Sequence, residues 1–181
     1  RIRGIEKIFG KLANTVQKKL PTHTLPGGVS GDHSSAGGTI AGVKMAYPNK
    51  RLGVIWIDAH ADLHSPYTTP SGNVHGMPLA TALAVDNLDN QLNDLTDGDI
   101  LLHWERLKNT GGIRPKIAPE DLVFVGIRDL EAPEINYIRD HKVAVHTVQQ
   151  LREQSVKKKC QEILAYLSDC EVLYISFDID S

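Results

Sequence analysis

The apolar positions of this chain follow two rhythms. Ile2, Ile5, Phe9, Leu12, Val16 and Leu20 recur at spacings of three and four, with Lys and Arg between them. That spacing predicts an amphipathic helix over 1–20, stopped by Pro21. Elsewhere the apolar residues run together. Leu52-Gly53-Val54-Ile55-Trp56-Ile57, Leu122-Val123-Phe124-Val125-Gly126-Ile127 and Val172-Leu173-Tyr174-Ile175-Ser176-Phe177 are short and rich in Val and Ile. Runs of this kind predict strands buried on both faces of a parallel sheet. Helices are expected over 34–47, with Ile40, Val43 and Met45 facing the core, over 77–92, near 134–141 and near 155–168. A short strand is expected over 142–147. Strands alternating with helices imply one α/β domain on a parallel sheet. Residues 93–120 read as long, polar and irregular, and Leu25–Ser34 as a glycine-rich strand-to-helix turn with His33 at its junction.

Composition narrows the function. The formal net charge of −2 gives no reason to expect nucleic acid or an anionic membrane as partner, and 6% aromatics weakens any base-stacking role. No apolar run approaches the roughly 20 residues of a membrane span. Neither G-x-x-x-x-G-K-[ST] nor G-x-G-x-x-G occurs, so nucleotide binding has no support. Cys160 and Cys170 are not in a C-x-x-C arrangement and are expected to be free, reduced thiols, which fits a cytoplasmic protein. The chain starts at Arg1 and stops directly after Ser176-Phe177-Asp178-Ile179-Asp180, and this suggests a fragment of a longer protein.

The candidate chemistry lies at the carboxyl ends of the apolar runs, where open parallel sheets bind ligands. Asp58, His60 and Asp62 follow the first run, and an extended chain would place all three on one side. His33 lies at another junction, and Asp178 and Asp180 follow the last run. Four converging carboxylates repel one another unless cations are present. One divalent ion could not use all six groups and keep an open position; two could. Oxygen-rich, thiolate-free ligation favours Mn²⁺ or a similar hard ion. Two such ions about 3.5–4 Å apart lower the pKa of water between them, so the residues predict a binuclear metallohydrolase. The loop from His64 to Gly76 is crowded with hydroxyls, an amide and imidazoles. The acids of Arg128-Asp129-Leu130-Glu131-Ala132-Pro133-Glu134 read most simply as a solvated helix start.

Gly31-Asp32-His33-Ser34, Asp58-Ala59-His60-Ala61-Asp62 and Ser176-Phe177-Asp178-Ile179-Asp180 together resemble the three metal motifs of the ureohydrolases: arginase, agmatinase and formimidoylglutamase. Ser71-Gly72-Asn73-Val74-His75-Gly76 is similar to the corresponding loop of the arginases. The resemblance implies a three-layer αβα domain over 1–181, incomplete at its C-terminal side. It implies two Mn²⁺ per subunit, bridged by Asp58 and Asp178. His33 and Asp62 would complete one shell, and His60 and Asp180 the other. A hydroxide between the ions, oriented by Asp62, would attack the guanidinium carbon of L-arginine and give urea and ornithine. His75 would shuttle protons. Ser71, Asn73, Thr69 and His64 would hold the substrate α-carboxylate, Glu131 would meet its α-amino group and Glu134 would support it. His64 stands where many arginases have Asn, and Glu131 where they have Asp.

Agmatinase, formimidoylglutamase and a non-catalytic relative that only binds are the alternatives. His75-Gly76-Met77-Pro78-Leu79-Ala80 departs from the Thr-Pro-Phe-Arg-Arg run that agmatinases carry after His-Gly. His64 keeps formimidoylglutamase open. Retention of all six ligands speaks against a silent relative. The resemblance further implies a homo-oligomer, trimer or hexamer, with a small-molecule substrate and neither nucleic acid nor membrane as partner.

Overall fold

A computed structural model of the protein describes residues 2–20 and 25–180. Pro21, the expected stop of the first helix, lies outside them. The chain forms two compact units, each made from two stretches: Arg1–Asn49 with Asp62–Lys116, and Lys50–Ala61 with Ile117–Ser181.

The first unit is helical. The spacing of Ile2 to Val16 produces α1 (Ile2–Lys19), which buries Phe9 and Ala13. α2 (Ser35–Ala46) buries Ile40 and Val43 and leaves Met45 half-buried. Residues 25–30 are exposed and irregular, so among the described residues no strand leads into the turn before α2. α3 (Pro78–Leu83) is far shorter than the predicted 77–92, because the chain turns left-handed at Ala84 (φ 58°). α4 (Gly98–Lys108) lies in the stretch expected to be irregular. The Asp97 carboxylate accepts the amides of Asp99 and Ile100 and so starts it. Phe9, Met77, Ala80, Trp104 and Leu107 form the core of this unit.

A buried ionic knot closes that core. Lys108 is fully buried; its Nζ bonds Asp86 and Glu105 and lies 5.5 Å above the Trp104 ring. Lys116 donates to the carbonyls of Lys108 (2.7 Å) and Ile113 (3.2 Å), and burial pushes its pKa down to about 8.

The second unit carries a four-stranded, wholly parallel sheet of β1 (Leu52–Ile57), β2 (Leu122–Val125), β3 (Ala144–His146) and β4 (Val172–Phe177), in the order β3-β2-β1-β4. Its helices are α5 (Ala132–Asp140), α6 (Val148–Glu153) and α7 (Val156–Tyr166). β1 and β2 are almost wholly buried, as their unbroken apolar runs predict. β4 differs: Leu173, Ile175 and Phe177 alternate outward and are exposed. Ile163 and Leu167 pack on Ile55, Val123 and Val125, with Leu151 and Cys170 beside them. Cys160 and Cys170 are free, as expected. α6 was not predicted, although Thr147 and Gln150 form a capping box at its start. Among the described residues no helix is long and apolar enough to cross a membrane.

One close approach tests the first unit. A Cβ on Gly42 would lie 2.6 Å from the Ala13 carbonyl and 2.9 Å from the Ala13 Cα, so α1 and α2 touch backbone to backbone. Backbone cannot swing aside as a flexible side chain can. Gly42→Ala is expected to cost about 1–3 kcal/mol by overpacking, read as a lower midpoint in denaturant unfolding. An unchanged midpoint would mean that the helices do not pack there.

Candidate functional site

In the second unit, strand register sets the geometry. Ile57 pairs with Val125 on one side and Phe177 on the other. The hydrogen-bond ladder runs one residue further: Asp58 donates its amide to the Val125 carbonyl (3.1 Å) and Asp178 to the Ile57 carbonyl (2.9 Å). Asp58 and Asp178 therefore leave neighbouring strands at the same level. Each then makes the same local turn. The Asp58 carboxylate accepts the amide of His60 (2.8 Å), and the Asp178 carboxylate that of Asp180 (3.4 Å). His60 Nδ1 lies 3.4 Å from Asp58 Oδ1 and 3.3 Å from Asp180 Oδ2. One ligand atom each from Asp58, His60 and Asp180 falls within 4.8 Å of the others, a span that one cation can bridge.

The surrounding bonds hold this group in place. Asp58 is buried, Asp178 half-buried, and His60 and Asp180 exposed. Arg128 donates from Nη2 to the Asp180 carbonyl (2.6 Å). The amides of Arg128 and Asp129 both donate to the Ala59 carbonyl (2.8 and 3.0 Å). Asp129 Oδ2 lies 3.7 Å from His60 Nε2. In sequence Arg128 and Asp129 read only as part of an acidic helix start; their place beside His60 and Asp180 comes from strand register, which the sequence does not display.

The expected alternation of Asp58, His60 and Asp62 is not what the chain does. Strand geometry ends at Ile57, residues 58–60 form a bend, and Asp62 is left-handed at φ 50°. Period-two reasoning fails there because the backbone is no longer extended. Asp62 belongs to the first unit. There it is buried, its Oδ2 lies 3.0 Å from Nδ1 of His33, and its carbonyl accepts the Leu79 amide (3.2 Å). His33 is in the turn that opens α2. Next to it, hydrogen bonding from Ser34 holds the Asp32 carboxyl below its usual range.

The polar loop of the first unit is bonded largely to itself. His64 is buried; its amide donates to the Gly76 carbonyl (2.9 Å), and its Nδ1 is 3.2 Å from the Thr68 hydroxyl. Thr69 Oγ1 accepts the Gly72 amide (3.1 Å), and Ser71 Oγ the Asn73 amide (3.2 Å). Gly72 is left-handed (φ 71°), a conformation that suits glycine. Ser71 and His75 are exposed and Asn73 half-buried, with His75 in a single 3-10 turn over Val74–Gly76.

Glu131 and Glu134 lie in the second unit, at the start of α5. Glu131 is the exposed N-cap, and the buried Glu134 carboxylate accepts its amide (3.1 Å). This is the helix start that the acids suggested, built as a capping box.

The arginase family model matches residues 2–181. The chain belongs to the arginase family. It is similar to arginase from Bacillus subtilis (strain 168), at 39% identity over 94% of this chain and 51% of that enzyme. The crystal structure of the Bacillus subtilis arginase superposes with a TM-score of 0.83 at 36% identity, over 98% of this chain and 55% of that one. The structure of Entamoeba histolytica arginase in complex with L-ornithine superposes at 0.84 with 33% identity, over 99% and 55%. The chain thus spans about half the length of the arginases it matches. The expected arginase-like α/β fold on a parallel sheet is met.

The capping box yields a direct test. Glu134→Ala removes a carboxylate that satisfies an orphan amide at the start of α5. It is expected to cost about 1 kcal/mol, read by denaturant unfolding. No loss of stability would remove Glu134 from the cap.

Proposed function

We propose that the protein is a binuclear manganese hydrolase that cleaves the guanidinium group of L-arginine to urea and ornithine. The observation that carries this is the repeated Asp-turn construction, Asp58 with His60 and Asp178 with Asp180, on neighbouring strand ends of a chain that belongs to the arginase family. We read the two units as parts of one ureohydrolase domain, which the family match over 2–181 supports.

The donor set fits the metal. Asp58, His60 and Asp180 bring two carboxylates and an imidazole within reach of one point, without thiolate. In this reading Asp58, Asp178, His33, Asp62, His60 and Asp180 would hold the Mn²⁺. The ions, when bound, lower the pKa of water toward neutrality and so supply the nucleophile.

The remaining steps belong to side chains. The Asp62 carboxylate orients the nucleophile toward the guanidinium carbon. Attack makes that carbon tetrahedral, and its collapse breaks the bond to the ornithine nitrogen. The leaving amine needs a proton, and the exposed imidazole of His75 delivers it from a ring nitrogen and regains it from water. Ser71 and Asn73, with Thr69 and His64, hold the α-carboxylate. Glu131 meets the α-amino group, and Glu134 fixes the Glu131 backbone through the hydrogen bond already described. L-Ornithine, named with the Entamoeba histolytica structure, carries both of these groups. The free thiols support a cytoplasmic setting, and the family supports a homo-oligomer, trimer or hexamer.

Two experiments test the reading, both on the protein at its natural length, loaded with Mn²⁺. Urea release is expected from L-arginine and not from agmatine, which lacks the carboxylate. Release from agmatine would show that the Ser71–Asn73 loop does not read that group. Asp178→Ala is expected to lose bound Mn²⁺, measured by elemental analysis, together with at least about 99% of turnover, as removal of a metal ligand requires. Full metal content with normal turnover would overturn its role as a ligand.

A further inference from the structure

The loop that carries Thr69, Ser71 and Asn73 is not held by apolar packing alone. A cavity of about 440 Å³ opens beside it, between Thr69, Ser71 and Gly72 and the side chains of Ile2, Leu95 and Ile100. A loop facing open volume must take its shape from hydrogen bonds. Those inside the loop are local, from Thr69 and Ser71 to amides two and three residues on. They fix a turn; they do not fix where the turn sits.

Most of the bonds that anchor it come from one residue far along the sequence. Asn93 Nδ2 donates to the carbonyls of Thr69 (2.7 Å) and Pro66 (3.1 Å). The Asn93 amide donates to the Tyr67 carbonyl (2.9 Å), and so does the Leu92 amide (2.9 Å). Asn93 thus ties three of four successive residues, 66–69. Both side-chain partners are carbonyl oxygens, so the NH₂ end of the amide must face them, and both its hydrogens are used. A carboxylate of the same shape has no hydrogen to give and would meet the same oxygens with negative charge. The anchor continues on the other side of the loop, where the Ser65 hydroxyl donates to the backbone carbonyl of Asp86. The Asp86 side chain is itself held by Trp104 (2.7 Å) and Lys108.

We propose that Asn93 is a positioning residue that sets the Thr69–Asn73 loop and, through it, the enzyme's preference for a substrate bearing an α-carboxylate. This rests on the arginase reading above. Asn93 need not touch the substrate. It holds the carbonyl of Thr69, and Thr69 in turn holds the Gly72 amide, so an altered anchor moves Ser71 and Asn73 together. A shift of about 1 Å in a binding group is enough to cost an order of magnitude or more.

The test is Asn93→Asp in the natural-length, Mn²⁺-loaded protein, with Asn93→Ala in parallel in case the new charge prevents folding. KM for L-arginine is expected to rise about tenfold or more in Asn93→Asp, and less in Asn93→Ala. Turnover at saturation should stay within about twofold, and bound Mn²⁺ and the rate on agmatine, however low, should not change. Backbone hydrogen exchange at Gly72 and Asn73 should quicken in both variants. An unchanged KM with unchanged exchange would overturn the proposal. So would an equal fall in metal content, turnover and agmatine rate, which marks a general structural role. If the wild-type protein itself does not prefer L-arginine, the arginase reading fails instead. Exchange at Gly72 and Asn73 then decides alone whether Asn93 positions the loop.

Discussion

The parallel pairing of β1 with β4 is the constraint from which the candidate chemistry follows. Residue for residue, Leu52–Ile57 lies against Val172–Phe177. A one-residue slip would turn every side chain of one strand to the opposite face. It would also take Asp178 off the level of Asp58. The register is secured on the β1 side by packing on both faces: Leu52, Val54 and Trp56 are at most 2% exposed, and a slip would put the large Trp56 where smaller neighbours pack. β4 has less to secure it, because Leu173, Ile175 and Phe177 are exposed. Its register comes from the backbone ladder and from Gly53, where a Cβ would lie 2.8 Å from the Leu173 side chain. The position of two acids thus depends on a strand whose own side chains contribute little burial.

The first unit solves a different problem. It must present a polar loop whose hydroxyls and amides would bond anything nearby. Ser65, Thr68, Thr69 and Ser71 all bond backbone within the loop, and this uses up groups that would otherwise compete for water. The loop's outer bonds go to Leu92, Asn93 and Asp86, and Asp86 is locked by the buried Lys108. A buried lysine is expensive unless paired. Here its two carboxylate partners and the Trp104 ring offset that cost, and the knot ties α4 to the base of the loop.

What could be read from the sequence was whatever depends on neighbours in the chain. The unbroken apolar runs gave β1 and β2 to within a residue or two, and the spacing of Phe9 with its neighbours gave α1. The acids at 131 and 134 announced a helix start and make one. Failures came where a local signal had two meanings. The polar stretch 93–120 reads as irregular, yet Asp97 is a helix cap and α4 begins there. The run after Pro78 looks helical to 92, but Ala84 leaves the helix. Asp58, His60 and Asp62 are correctly placed at a strand end. Their presumed alternation is wrong, because Asp58 bends the chain by binding the His60 amide. Asn93 gave no signal at all. Its partners lie 24 and 27 residues away, and an asparagine in a polar stretch is what any loop contains.

Electrostatics explains why the two Asp turns are built alike. A carboxylate at a strand end can accept the next free backbone amides, and Asp58 and Asp178 both do so. Such bonds give each carboxylate a hydrogen-bond partner and offset part of the cost of burial. They also fix which oxygen of Asp58 faces the His60 amide and so constrain where the other oxygen lies. His60 is pinned between Asp58 and Asp180, and the Asp180 backbone is in turn pinned by Arg128. Arg128 bonds the carbonyl of Asp180 and leaves the carboxylate to the histidine. If the guanidinium instead bound that carboxylate, it would neutralise the charge that a divalent cation needs. Within the second unit the Arg128 guanidinium is spent on the carbonyls of Gly126 and Asp180, and Asp58, His60 and Asp180 keep ligand atoms within reach of one point.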